Sequence, residues 1–387
     1  MPKKQTITFN VVLLSLVIVA VFTPVAYGFY RLYPGDFIGH QDFAEGMEKN
    51  GEVKRPHVLY HVIFTMLRNC MGNQGIEGVF LLMATFLYVM IGIGLFLSLS
   101  LHAPAAIMKI SLLSIVVLLL VSKPIYIWFN LPQFIGYINY VSHHNPTQIL
   151  LTVFVVPVSL IALRAISPQP YRNLNQRIFL ISFSALIVLL LSVSKPSYSI
   201  ALLPALGLVV LYRLLRRLPI DWTLLIISII FPSLTLLSVQ YVTAYIAEQE
   251  TAIGIGQLEF FRVHRLQAWE VFVRLTLSIL FPAVVYRLYI SEALKNDYLN
   301  LAWLTFGVSL AWSYLLHEQG NRLGDGNFVW SSYVSLFVLM FSTVLFLLKQ
   351  HAAESFRLSC RFVVSGVAFL LHVGSGVYTA VRVIAGL

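Results

Sequence analysis

Apolar residues in this chain fall into long runs rather than the alternating pattern of a strand or the narrow stripe of a soluble amphipathic helix. Eleven segments are apolar over most of their length: 9–29, 77–100, 107–127, 147–166, 177–194, 198–215, 221–246, 269–290, 298–316, 328–348 and 361–385. Each approaches the roughly 20 residues that a helix needs to cross hydrocarbon, where every backbone polar group must be satisfied inside the segment. The pattern therefore predicts an all-α polytopic membrane protein with about 11 transmembrane helices in one integral-membrane domain spanning 1–387. Val58 to Met71 is also apolar, but it is too short to span and carries His61 and Arg68, so it reads as an interfacial or re-entrant helix. The N-terminal run from Phe9 to Phe29 exceeds the apolar core of a cleaved leader, and no small-x-small cleavage site follows. It is expected to be a retained span with the N-terminus in the cytoplasm.

Charge tests that layout. With the N-terminus inside, the inner connections hold Lys3, Lys4, Lys109, Arg164, Arg172, Arg177, Arg213, Arg216, Arg217, Arg287, Lys295, Lys349, Arg357 and Arg361. Their only acids are Asp221, Glu292, Asp297 and Glu354, so the whole net charge of +10 falls on that side and the outer charges cancel. Short basic loops such as Arg213-Leu-Leu-Arg-Arg fix orientation by the positive-inside rule, and the excess needs no nucleic-acid partner. Composition agrees: 58% hydrophobic against 11% charged excludes a soluble enzyme. Two distant cysteines, Cys70 and Cys360, offer neither a disulfide framework nor metal-ligand spacing. No Walker loop or dinucleotide fingerprint supports ATP-driven or redox chemistry.

The unusual segments lie on the outer side. Within the first outer loop, 30–76, Asp36 and His40 are four apart and share a face if the segment is helical, with Asp42 and Glu45 as a second polar pair. A carboxylate beside an imidazole suits proton abstraction from a hydroxyl, or a divalent cation next to a phosphate; it also suits a solvated amphipathic helix. His57 and His61 repeat the helical spacing without a nearby third metal ligand. In Ser142-His-His-Asn-Pro-Thr, Thr147 can cap the following helix, which leaves His143, His144 and Asn145 as candidates for substrate contact. Lys195-Pro interrupts two apolar runs, and Lys123-Pro repeats the arrangement. Each lysine can snorkel or pair with a phosphate. In the outer loop 247–268, Arg262 and Arg265 lie among aromatics, as a phosphate clamp or an interfacial belt. The outer loop 317–327 concentrates Glu318, Arg322 and Asn327 among glycines that permit close approach to a ligand. Lys109, Arg274 and His372 lie in or near apolar runs, each within reach of an interface.

A first span, an outer loop with an acidic residue in Gly-Asp36-Phe-Ile-Gly-His40, and about ten further spans with polar loops on the same side together resemble the GT-C class of integral-membrane glycosyltransferases. The strings His144-Asn-Pro-Thr147, Lys195-Pro-Ser197 and Glu318 to Asn327 look like those of bacterial membrane proteins with this layout. The resemblance implies sugar transfer from a polyprenyl-phosphate donor to a glycan or lipid acceptor at the outer face of a bacterial cytoplasmic membrane. Asp36 would be the base, and His40 and Asp42 would assist or replace it. Lys195, Arg262 and Arg322 would supply cations for the departing phosphate. The Asp-Asp or Glu-Asp dipeptide that some members use for metal binding is missing from the outer loop, so the resemblance carries no metal requirement with it. Two rival readings remain: a polymerase or ligase of lipid-linked oligosaccharide resembling O-antigen polymerases, and a lipid or small-anion transporter or flippase.

Overall fold

The computed structural model describes residues 4–51, 58–72, 75–104, 107, 109–126, 135–247 and 252–387. His57 and its neighbours in 52–57 lie outside them, as do residues 73 and 74. Helices α1 (Lys4–Leu32), α2 (Pro34–Asn50), α3 (Leu59–Met71), α4 (Ile76–His102) and α5 (Lys109–Val121) open the chain. They are followed by α6 (Pro146–Ile166), α7 (Leu174–Ser194) and α8 (Ser199–Leu215). A further helix, α9 (Phe231–Tyr241), is flanked by π-helical turns at Leu224–Ile230 and Val242–Ala247. Strand β1 (Ile253–Ile255) and helices α10 (Glu259–Val263), α11 (Ala268–Ser278), α12 (Leu280–Leu288), α13 (Ile290–Ala293) and α14 (Asp297–Leu315) come next. The chain ends with β2 (Leu316–Glu318), a 3-10 turn at Gly320–Asp325, α15 (Val329–Ala353) and α16 (Cys360–Ile384).

This is an all-α integral membrane protein. Phe9, Leu16, Phe86, Phe179, Phe183, Leu208, Phe231 and Leu370 are exposed large apolar residues on the outside of the bundle, a surface that water does not tolerate and lipid does. Among the described residues, seven helices are long and apolar enough to cross a membrane, or up to eight if α11 and α12 count as one span bent by 62°. The other three of the eleven apolar segments contain α5 and α8, which are shorter, and α14. The Val58 to Met71 segment forms the 13-residue helix α3.

Helix α15 is the axis of the bundle, with 94% of its most apolar stretch buried. Its buried hydroxyls bond back along the helix, Ser342 and Thr343 both to the Leu339 carbonyl, so polar groups enter the core already satisfied. Helices α14 and α6 pack against it, while α1 lies between α4 and α16. At Gly376, α16 approaches α5 so closely that a Cβ would stand 1.7 Å from the Val121 carbonyl oxygen.

Arg274 and His372 do not snorkel. Burial among packed helices forces each polar head onto an internal acceptor or donor. Arg274 donates to the Ile135 carbonyl and lies 5.5 Å from the Tyr137 ring centroid. His372 bonds the Lys123 carbonyl through Nδ1 (3.1 Å) and accepts from the Phe281 N–H (3.3 Å).

Candidate functional site

Two cavities meet at one end of the bundle, and the local sequence explains how each wall is built. Pro34 stands in the first turn of α2, where its fixed φ suits helix initiation and its missing N–H costs nothing. Asp36 follows in that turn, where the helix dipole favours a carboxylate. Phe37 is buried against Phe80 (ring centroids 4.3 Å apart) and Tyr30 (5.8 Å) and anchors the opposite side of α2. Asp36, His40 and Phe43, at helical spacing, then line the cleft. His40 Nδ1 lies 3.1 Å from Nε2 of the buried His61 of α3.

Asn145, not Thr147, is the N-cap of α6. Its extended backbone (φ −115°, ψ 108°) lets Oδ1 accept from the Gln148 N–H at 2.9 Å, and the Thr147 hydroxyl donates to the same oxygen at 2.8 Å. Asn145 Nδ2 donates to Asp36 Oδ2 at 3.1 Å. Lys195 terminates α7 in an extended conformation before Pro196. Its side chain is almost fully buried, with Nζ 4.2 Å from the ring centroid of Trp330 in the first turn of α15.

Strands β1 and β2 pair antiparallel, Ile253 opposite Glu318, and set the buried Glu318 at the strand end. Glu318 accepts from the Tyr245 hydroxyl at 2.7 Å and from Asn327 Nδ2. Arg322 Nε lies 3.4 Å from both Glu318 Oε2 and Asp325 Oδ2.

The first cavity, about 340 Å³, is polar and is lined by Asp36, His40, Asn145, Lys195, Arg322, Asp325, Asn327 and Trp330. The second, about 270 Å³, is largely apolar and is lined by Ile200, Leu237, Tyr241, Ala244, Tyr245 and Phe328 together with Glu318. Lys195, Arg322 and Asn327 line both. Tyr241 and its neighbours Leu234, Val239 and Val242 are exposed apolar or aromatic residues on the outside of the bundle, so the helix that walls the second cavity also faces lipid.

The electrostatics follow from this placement. Asp36 opens onto the cleft but is ringed by protein, and the loss of bulk water raises its pKa against the lowering effects of Asn145 and Lys195; Asp325 adds a further rise. Burial pushes the Lys195 ammonium down to about 7, with Asp36 pulling it back. Burial, then the charges of Lys123 and Lys195, hold His144 at about 3, so its imidazole is neutral.

The structure therefore joins residues from segments far apart in the sequence and leaves others out. Asp36, His40, Asn145, Lys195, Arg322 and Asn327 share the polar cavity, and Glu318 lies just behind its wall. Asp42 is exposed and lines neither cavity, so α2 supplies no substitute for Asp36 from that position. Arg262 is exposed and paired with Glu259 at 2.7 Å, and like Arg265 it lines neither cavity. His143 is buried with Tyr88, which bonds its Nδ1, and Phe29, whose ring centroid is 5.3 Å away. It packs the interior rather than the cavity. His144 touches the site through Trp330, at 5.8 Å between rings.

The two Lys-Pro breaks form parallel arrangements around the histidine pair. Lys195 lies over Trp330 beside His144, whereas Lys123 lies over Phe29 (4.8 Å) beside His143. Only the first reaches the large cavities. Sequence reasoning missed Trp330, Asp325 and Tyr245. The first two stand at the end of the polar Glu318 to Asn327 string or just beyond it, whereas Tyr245 sits inside an apolar run and gives no local signal.

Among the described residues, no group of three His, Cys, Asp or Glu side chains is placed to hold a metal ion. No protein-family model matches the chain, and no curated protein matches it. The site thus combines three carboxylates, Asp36 and Asp325 on the polar cavity and Glu318 on the apolar one, with the two cations Lys195 and Arg322 where the two cavities adjoin.

Proposed function

We propose that this protein is a membrane glycosyltransferase that moves a sugar from a polyprenyl-phosphate donor to a hydroxyl of a glycan or lipid acceptor. The observation that carries the reading is the wall of Lys195, Arg322 and Asn327 shared by the two cavities, with Asp36 on the polar side. An amphiphilic donor matches that division. Its apolar chain fits beside Leu237, Tyr241 and Ala244, its phosphate meets Lys195 and Arg322, and its sugar projects toward Asp36. Asp36 takes the proton of the acceptor hydroxyl as that oxygen attacks the anomeric carbon from the side opposite the phosphate. The C1–O bond to phosphate breaks, and the charge that develops on the departing oxygen is met by the two cations. The anomeric configuration inverts.

The finer topology belongs to the same proposal. About eleven helices would cross a bacterial cytoplasmic membrane, with the N-terminus inside and the two cavities facing outward. Members of the GT-C class share the layout that the chain resembles, and the basic connections such as Arg213-Leu-Leu-Arg-Arg support the orientation.

Asp36→Asn tests the chemistry. In proteoliposomes supplied with a short-chain prenyl-phosphate hexose and a glycan acceptor, the variant should lose about 100-fold or more in transfer rate, the scale of general-base removal. Full transfer by the variant would remove Asp36 as the base. Appearance of labelled donor on the far side of the bilayer without a new glycosidic bond would replace the enzyme reading with transport. A ladder of products, in place of single addition, would identify a polymerase using the same site.

A further inference from the structure

We propose that Asn145 is a positioning residue for Asp36: the helix it caps locks its amide so that one carboxylate oxygen is held and the other is left to act. This deepens the reading of Asp36 as the base and rests on it. The two amide ends of an asparagine are close to interchangeable in shape, so their assignment comes from their partners. Here the partners leave one choice. Asn145 Oδ1 faces two donors, the Gln148 N–H at 2.9 Å and the Thr147 hydroxyl at 2.8 Å. A flipped amide would set N–H against N–H and lose the cap of α6. Nδ2 must therefore face away from the helix, where it meets Asp36 Oδ2 at 3.1 Å.

The consequence is chemical. Residues 145 and 36 are distant in sequence, and one side chain ties the start of α6 to the first turn of α2. Among the described residues, nothing hydrogen-bonds Asp36 Oδ1. The carboxylate thus has one oxygen held by a rigid donor and one available to accept a substrate proton. Asn145 does not touch the reacting atoms in this arrangement. It fixes the rotation of the carboxylate and favours the ionised form, because it donates to that form. The charged or titratable groups around Asp36 are His40 on α2, Lys195 after α7, and Arg322 and Asp325 on the 3-10 turn. None of them is altered by a substitution at 145.

The cap and the positioning role separate cleanly. Serine and threonine are good N-caps, so Asn145→Ser and Asn145→Thr keep an oxygen for α6 but are too short to replace the amide on Asp36. Full-length protein in lipid nanodiscs is treated with dicyclohexylcarbodiimide, which adds to protonated carboxyl groups, across a pH series. Modification of the peptide carrying Asp36 is read by mass spectrometry. Wild-type protein should show a midpoint about one pH unit below that of either variant, which corresponds to about tenfold slower modification at pH above both midpoints. Melting temperatures should stay close to wild type.

An unchanged or lowered midpoint in a folded variant overturns the proposal. Failure of both cap-retaining variants to fold also overturns it, by assigning Asn145 to folding alone. The readout contains no sugar, so loss of the glycosyltransferase reading in the transfer assay would leave this result standing, and the reverse holds as well.

Discussion

Lys195 sets burial against charge more sharply than any other residue of the site. Its ammonium is held between the Trp330 ring and the field of Asp36, and burial brings its pKa to about 7. The charged form is therefore present below about pH 7 and lost above it. Binding of a prenyl phosphate that needs this charge should weaken as pH rises through that value, by up to about tenfold per pH unit. Lys195→Met should lower affinity at pH 6 and flatten the dependence, as thermal-shift titration with farnesyl phosphate would show. A wild-type profile that stays level from pH 6 to 9 would mean the ammonium does not contact the phosphate. Asp36 acts in the opposite sense, since its raised pKa requires ionisation before it can accept a proton. Transfer should accordingly rise as Asp36 ionises and fall as Lys195 discharges, giving a bell-shaped profile. Lys195 feels the charge of Asp36, and Arg322 lies 3.4 Å from both Glu318 and Asp325, so a phosphate entering the site would meet cations whose charge is already partly balanced.

At the scale of elements, the site depends on helix ends held in place by close crossings far from the chemistry. Helix α16 supports α5 and α1, and α1 runs directly into α2 and its Asp36. The contact with α5 needs Gly376, where an added methyl would collide with backbone at Val121 and Ser122. Gly376→Ala should therefore destabilise the protein by about 1–3 kcal/mol, the usual cost of overpacking a filled interior. Gly374→Ala, on the exposed side of the same helix with open space around it, should be neutral or slightly stabilising because alanine is the better helix former. Melting of the two purified variants checks the pair, and equal behaviour would refute the tight crossing. Helix ends were partly legible in sequence: Pro34 and Pro146 mark helix starts, and Pro196 follows a stop. The choice of Asn145 over Thr147 as the cap was not, because both can accept a backbone hydrogen bond and only the backbone path decides which one does.

For the whole molecule, the proposed orientation can be read from the two native cysteines. Cys70 lies at the end of α3 and Cys360 at the start of α16, and both are exposed. With the cavities outward, a membrane-impermeant maleimide applied to intact spheroplasts should label the Cys360→Ser variant, through Cys70, and spare Cys70→Ser until the membrane is opened. The reverse pattern would invert the topology and turn the Asp36 cavity inward. Equal labelling of both before lysis would contradict the layout itself.

Hydrophobic patterning by itself determined that this chain is a helical membrane protein, because apolar runs near the bilayer thickness leave the backbone few other options. It also located the polar segments that supply the cavity, since Asp36, Lys195 and the Glu318 to Asn327 string stand out against an apolar background. What it could not decide was which of those residues meet. Arg262 and Arg322 look alike in sequence, yet one is exposed beside Glu259 and the other lines both cavities. His143 and His144 are adjacent, yet one fills the interior and the other packs on Trp330. Those outcomes depend on how helices far apart in the chain cross and turn about their axes, and local sequence carries no record of a neighbour's rotation. Tertiary packing made one site from these separate segments.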